Sequence, residues 1–111
     1  MAGEASARGS AWVEVAGEAD VPAGTLRAAN AAGHAILLAR VDGLVVAVEA
    51  ECSHEAYPLL DGDLDGCLLT CTAHYSVFDL RDGSVVEPPA EQALRTFATR
   101  LNGGRIEVLV P

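Results

Sequence analysis

Apolar and polar positions alternate over short stretches of this chain and are interrupted at close intervals by turn residues, a β pattern. Trp12-Val13-Glu14-Val15 alternates as a half-buried strand does, and Asp20-Val21-Pro22-Ala23-Gly24 reads as the loop after it. Residues 34–41 are apolar and of strand length. They face residues 44–48 across Asp42-Gly43, a dipeptide suited to a type I′ hairpin turn because both its residues need positive φ. Asp61-Gly62, Asp65-Gly66 and Asp82-Gly83 give further turns. Asn102-Gly103-Gly104 joins residues 96–101 to 105–110 in a closing hairpin. Pro88-Pro89 forbids a central strand and marks a rigid loop. The alanine-rich stretch Ala28 to Ala32 could pass for helix, but Gly33 and the surrounding strand spacing make it an edge strand. Trp12 and Phe97 read as core anchors, and His34 as a surface or half-buried residue. Many short strands with glycine-rich turns predict an all-β fold, an antiparallel sandwich or partly open barrel.

The length, 111 residues, suits one domain with a modest core, and half of the residues are apolar. Residues 1–10 are small, polar and aperiodic, so they are expected to form a flexible tail on a single domain over 11–111. No stretch resembles the apolar segment of a signal peptide or a membrane span, which leads us to expect a cytoplasmic monomer. Charge narrows the partners. The net charge is −9, all seven bases are arginine, and residues 41–70 hold seven acids and no base: Asp42, Glu49, Glu51, Glu55, Asp61, Asp63 and Asp65. Such a chain repels nucleic acid and anionic membranes. The acids serve either as a solubilising face or as a docking field for a basic protein.

Cys52-Ser53-His54 is followed, after sixteen intervening residues, by Cys71-Thr72-Ala73-His74. Each pair stands where a strand gives way to a loop, so the two loops can face each other with two thiolates and two imidazoles. Three readings compete. The cysteines could be core residues with incidental histidines, although two matched Cys–His pairs speak against coincidence. Structural zinc accepts two Cys and two His, but it usually takes both Cys before both His, and one intervening residue is tight for two ligands of one tetrahedral ion. The third reading lets each pair give one ligand to each of two irons, which relieves that crowding.

Here the sequence resembles the Rieske family, whose Cys-x-His and Cys-x-x-His boxes bind a [2Fe–2S] cluster with two Cys on one iron and two His on the other. Pro58-Leu59, Asp61-Gly62, Leu64-Asp65-Gly66, Phe78-Asp79-Leu80, Asp82-Gly83 and Pro88-Pro89 extend the resemblance over roughly 41–110. It implies a Rieske-type sandwich with a small cluster-binding part, about 46–84, formed around two loops. It also implies that Cys52, His54, Cys71 and His74 hold one cluster, surrounded by Tyr57, Leu59, Tyr75, Ser76, Phe78 and Pro88. Two neutral imidazoles in place of two thiolates remove the negative charge of the oxidised centre. Rieske potentials therefore span roughly −150 to +300 mV, against about −400 mV for plant-type ferredoxins.

The respiratory and photosynthetic members carry an extra Cys in each loop, joined in a disulfide; Tyr57 and Ala73 stand at those positions here. The resemblance is thus to the ferredoxins of aromatic-ring dioxygenases and toluene monooxygenases. It implies a carrier, not an enzyme, that takes single electrons from a flavoprotein reductase to a terminal oxygenase. The alternatives are the Rieske-like small subunit of another oxidoreductase, such as an assimilatory nitrite reductase, and a zinc-stapled interaction module. Two positions depart from the pattern, since Ala56 and Tyr75 stand where glycine is common. The hydroxyl that a Tyr would bring at position 78 is missing, so a potential near the low end is expected, raised if the Ser76 hydroxyl points at a sulfide. The apolar run Tyr57 to Leu60 is expected to shield the cluster or to form a docking patch. Cys67, at an even offset from Cys71, is expected on the same strand face as a core thiol or a spare sulfur.

Overall fold

The structure, a computed structural model, describes residues 10–54 and 57–111. The expected tail, apart from Ser10, lies outside the described residues, as do Glu55 and Ala56. The described chain forms eleven strands and two short 3₁₀ turns, with no α-helix among them. One sheet has the order β1-β11-β10, from Ala11–Gly17, Arg105–Val110 and Thr99–Asn102. A second has the order β2-β3-β4-β9, from Leu26–Ala31, His34–Val41, Leu44–Glu49 and Thr96–Phe97. The third is a meander, β5-β6-β7-β8, from Asp63–Asp65, Leu68–Thr70, Val77–Asp79 and Ser84–Glu87. Every pairing is antiparallel, and the sheets stay open without closing into a barrel.

The second sheet is the middle layer, which explains why 35–39 is apolar throughout instead of alternating. Successive side chains of β3 point to opposite faces. Ile36 and Leu38 join Val21, Ala47, Ile106, Val108 and Val110 in one core. Leu37, Ala39 and Val41 join Val48, Leu59, Leu69, Phe78, Leu80, Ala90, Leu94 and the two motif cysteines in the other. The turn that joins β3 to β4 has φ of 52° at Asp42 and 81° at Gly43, as a type I′ turn requires. The expected edge strand at Ala28 is β2, at the edge of its sheet.

Three expectations need correction. The strand over 96–101 is broken at Ala98: Phe97 and Thr96 pair with Ala47 and Val48, whereas Thr99–Asn102 pairs with β11. The segment turns the corner between two sheets, and the Thr99 hydroxyl donates to the Val45 carbonyl at 2.8 Å where it leaves the first. Trp12 is not a core anchor. It is 36% exposed on β1, with the Arg100 guanidinium 4.2 Å above its ring. Cys67 occupies the turn between β5 and β6, at the end of β6 remote from Cys71, about 13 Å away at the rise of a strand. It is nonetheless half-buried against the core that also holds Cys52 and Cys71, as expected of a core thiol, with Asp79 and Arg81 as neighbours. Arg81 holds the Asp79 carboxyl down to about 2 through an ion pair at 2.7 Å. Phe97 is half-buried against the first core, its ring centroid 6.1 Å from that of His34.

Candidate metal centre

The two Cys–His segments are closed at their ends by the same hydrogen bond. In the first, the Cys52 amide donates to the Tyr57 carbonyl at 2.9 Å, beneath a bridge between Glu51 and Pro58. In the second, the Cys71 amide donates to the Ser76 carbonyl at 2.8 Å, beneath the pairing of Thr70 with Val77. Each ring thus closes from a cysteine amide to the carbonyl five residues on. The first loop is anchored to the middle sheet by Leu59 donating to Ala50 at 2.8 Å, and the second is the tip of the β6–β7 hairpin. Short loops with fixed ends suit a rigid ligand set.

The donors are segregated by burial. Cys52 and Cys71 lie in the core, 6% and 1% exposed, while His54 and His74 are exposed. The imidazole centroids are 5.2 Å apart with the rings nearly perpendicular, at 87°. Burial pushes the Cys71 thiol up, the Ala73 amide pulls it down, and the Cys52 thiol within hydrogen-bonding reach pushes it up again. Among the described residues, no three Cys, His, Asp or Glu side chains are grouped to hold a single metal ion. Two adjacent thiols and two adjacent imidazoles instead form two pairs, a donor set that fits a two-iron cluster.

The residues expected around the cluster divide by position. Leu59 and Phe78 are fully buried beneath the loops. Tyr57 and Leu60 are exposed at 37% and 44%, so the apolar run shields through Leu59 and presents an apolar surface through its neighbours. Ser76 is buried, its hydroxyl oxygen accepting the Ala90 amide at 2.9 Å, and Pro88 lies exposed nearby in the chain. Tyr75 is 70% exposed and has φ of 65°, while its amide donates to the Cys71 carbonyl at 2.8 Å. Left-handed backbone is where glycine is at ease, which gives the departure at this position a physical meaning. Tyr75→Gly is expected to leave the thermal midpoint unchanged or raised, because relief of that conformation offsets the added freedom of the unfolded chain. Tyr75→Val, β-branched in the same conformation, is expected to destabilise by about 1–2 kcal/mol. Melting curves of the two variants check both, and a glycine variant less stable than the valine one would show that the ring stabilises the loop.

Sequence reasoning assigns no role to Ser53. In the structure its hydroxyl donates to the Gln92 carbonyl. The only signal was a hydroxyl between the Cys and the His of the first box.

Comparison with known proteins follows the same lines. The family model described as "Rieske [2Fe-2S] domain" matches residues 11–98. The ferredoxin component of the p-cumate 2,3-dioxygenase system of Pseudomonas putida is 38% identical over 84 residues, 75% of this chain and 71% of that protein. A chain in the complex of reduced oxygenase and oxidised ferredoxin of carbazole 1,9a-dioxygenase superposes with a TM-score of 0.82 at 28% identity, covering 87% of this chain and 91% of that one. The Sphingomonas yanoikuyae B1 ferredoxin shares the fold with a TM-score of 0.86 at 24% identity, covering 91% of this chain and 100% of its own.

Proposed function

This chain belongs to the Rieske [2Fe–2S] family, and from that premise we propose that it is a ferredoxin of a multicomponent oxygenase system, carrying single electrons from a flavoprotein reductase to a terminal oxygenase. Cys52 and Cys71 would hold one iron and His54 and His74 the other. The observation that carries this reading is the segregation of donors, with the thiols in a dry core and the imidazoles at the surface. When bound, a cluster of this kind supplies a one-electron centre whose oxidised form is close to neutral.

The residues divide the work. Leu59, Phe78 and Leu69 keep water from the thiol side. The exposed edges of His54 and His74 give electrons a short way out, and Tyr57, Leu60 and Tyr75 are exposed in or just after the same two loops in sequence. The lack of a tyrosine hydroxyl at Phe78 favours a potential toward the low end of the Rieske range. The names of the relatives favour an oxygenase acting on aromatic compounds as the acceptor. We assign the protein to the cytoplasm as a monomer without catalysis of its own; no helix among the described residues is long and apolar enough to cross a membrane.

The deciding experiment is purification with metal analysis and EPR of the dithionite-reduced protein. Two irons, two labile sulfides and a Rieske spectrum support the reading. A colourless protein carrying one zinc would overturn it. A second measurement concerns the acids, of which Glu51, Asp61, Asp63 and Asp65 are exposed on or beside the cluster-binding part. If they steer a basic partner, reduction by the reductase is expected to slow as salt rises, because the screening length falls from about 10 Å at 0.1 M to about 3 Å at 1 M. A stopped-flow rate that does not change with salt would leave the acids a solubilising role only.

A further inference from the structure

Residues 88–95, between β8 and β9, form a strap that bridges the two Cys–His loops. The Ala90 amide donates to the Ser76 hydroxyl oxygen at 2.9 Å in the core, and two residues further on the Gln92 carbonyl accepts the Ser53 hydroxyl near the surface. Beyond these the strap is fixed to the scaffold. The Leu94 amide donates to the Gly83 carbonyl at 2.8 Å, and the Arg95 amide donates to the Glu49 carboxylate at 2.7 Å. A Cβ at Gly83 would stand 2.4 Å from the Leu94 carbonyl oxygen, so the strap lies directly against that turn.

Ser53 belongs to the first loop, between Cys52 and His54, and Ser76 closes the second. One hydroxyl from each loop therefore grips the same short piece of chain, one as donor and one as acceptor. The piece from Ala90 to Gln92 thus acts as a spacer between the loops.

We infer that Ser53 and Ser76 are positioning residues forming one latch, which through residues 90–92 fixes the two Cys–His loops relative to each other. This rests on the reading of those loops as the ligand carriers, but the latch is a property of the chain and can be tested with or without iron. A latch behaves as a unit: release at one end loosens the other. Two separate structural hydrogen bonds would instead act independently.

The test uses hydrogen exchange, read by mass spectrometry over the strap, on purified wild type, Ser53→Ala and Ser53→Thr. The bond lost in Ser53→Ala is to a carbonyl, so no amide loses its own partner. Faster exchange of the segment containing the Ala90 amide is then a report of coupling. We expect an increase of about two- to tenfold, the range for loss of one ordinary hydrogen bond. Ser53→Thr, which keeps the hydroxyl, is expected to match wild type. A second readout is the rate at which visible absorbance bleaches in excess iron chelator. Ser53→Ala and Ser76→Ala are each expected to bleach faster, and the double variant no faster than the faster single. Strap exchange unchanged in Ser53→Ala, a threonine variant that behaves like alanine, or rates that multiply in the double variant would each overturn the latch. Should Ser76→Ala fail to fold, the exchange comparison at Ser53 decides alone. Should the purified protein hold no iron, the ligand reading fails while that comparison still decides the latch.

Discussion

Alanine in place of His54 or His74 is expected to abolish the Rieske spectrum. Each imidazole is one of only two neutral donors in the proposed ligand set, and the two rings stand close together with centroids 5.2 Å apart. No other imidazole stands on either loop, since the flanking side chains are Ser53 and Glu55 on one and Ala73 and Tyr75 on the other. A carboxylate from Glu55 would bring a charge that alters the spectrum. A cysteine at either position would be informative in the opposite sense. It restores a donor but brings a negative charge, so a retained cluster should have its potential driven toward the plant-type range, about −400 mV. Two controls accompany these variants. His34→Ala and Cys67→Ser are expected to keep the spectrum, since His34 packs against Phe97 in the other core region and Cys67 lies in the far turn of the meander. An unchanged reduced EPR signal in either His→Ala protein would refute the ligand assignment, as would loss of the cluster in the Cys67 variant.

The second large effect is expected at Phe78, the largest fully buried side chain and part of the core that also holds Cys52 and Cys71. Truncation to alanine removes most of an aromatic ring from a packed interior, a change that destabilises by about 3–5 kcal/mol. A domain of this size has only about 5–15 kcal/mol in total. Phe78→Ala should therefore melt far below wild type and release its iron at temperatures that leave the wild type intact, while Phe78→Leu should lose much less. Thermal scans following far-UV circular dichroism and visible absorbance together make the measurement. A loss below about 1 kcal/mol would mean that the loops are supported from elsewhere.

Much of this was legible in the sequence, for reasons that can be named. The Asp42-Gly43 hairpin was readable because its turn chemistry is local and its residues tolerate the positive φ they adopt. The juxtaposition of the two Cys–His boxes was readable because coordination chemistry constrains residue type and spacing within each box, and the structure brings the two imidazoles together and the two thiols together. What was not legible depends on contacts distant in sequence. The break at Ala98 arises because the two halves of one strand-length stretch bond to different sheets, and nothing within 96–101 records that. Trp12 was placed in the core by its size, whereas β1 lies at a sheet edge, where one face of the ring meets Arg100. Cys67 lies in the turn before β6 and not on the strand, although it packs against the core that its even offset from Cys71 suggests. The grip of Ser53 on Gln92 spans 39 positions and leaves no local trace.

The pairing of β1 with β11 sets Ala11 opposite Val110, so that nearly all of the described chain lies between two partners of one ladder. The meander is different, since each of its strands meets its neighbour across a turn of a few residues, apart from the cluster loop itself. Closing a long loop has an entropic cost that must be met before its contacts stabilise anything. The second Cys–His box therefore sits in a unit that can assemble early from neighbouring sequence. The first is anchored at Ala50 to the middle sheet, which is completed only when β9, from beyond the whole meander, pairs with β4. Folding intermediates of this protein should thus display half of the ligand set before the other half, and the order in which the donors become available is written into the strand topology.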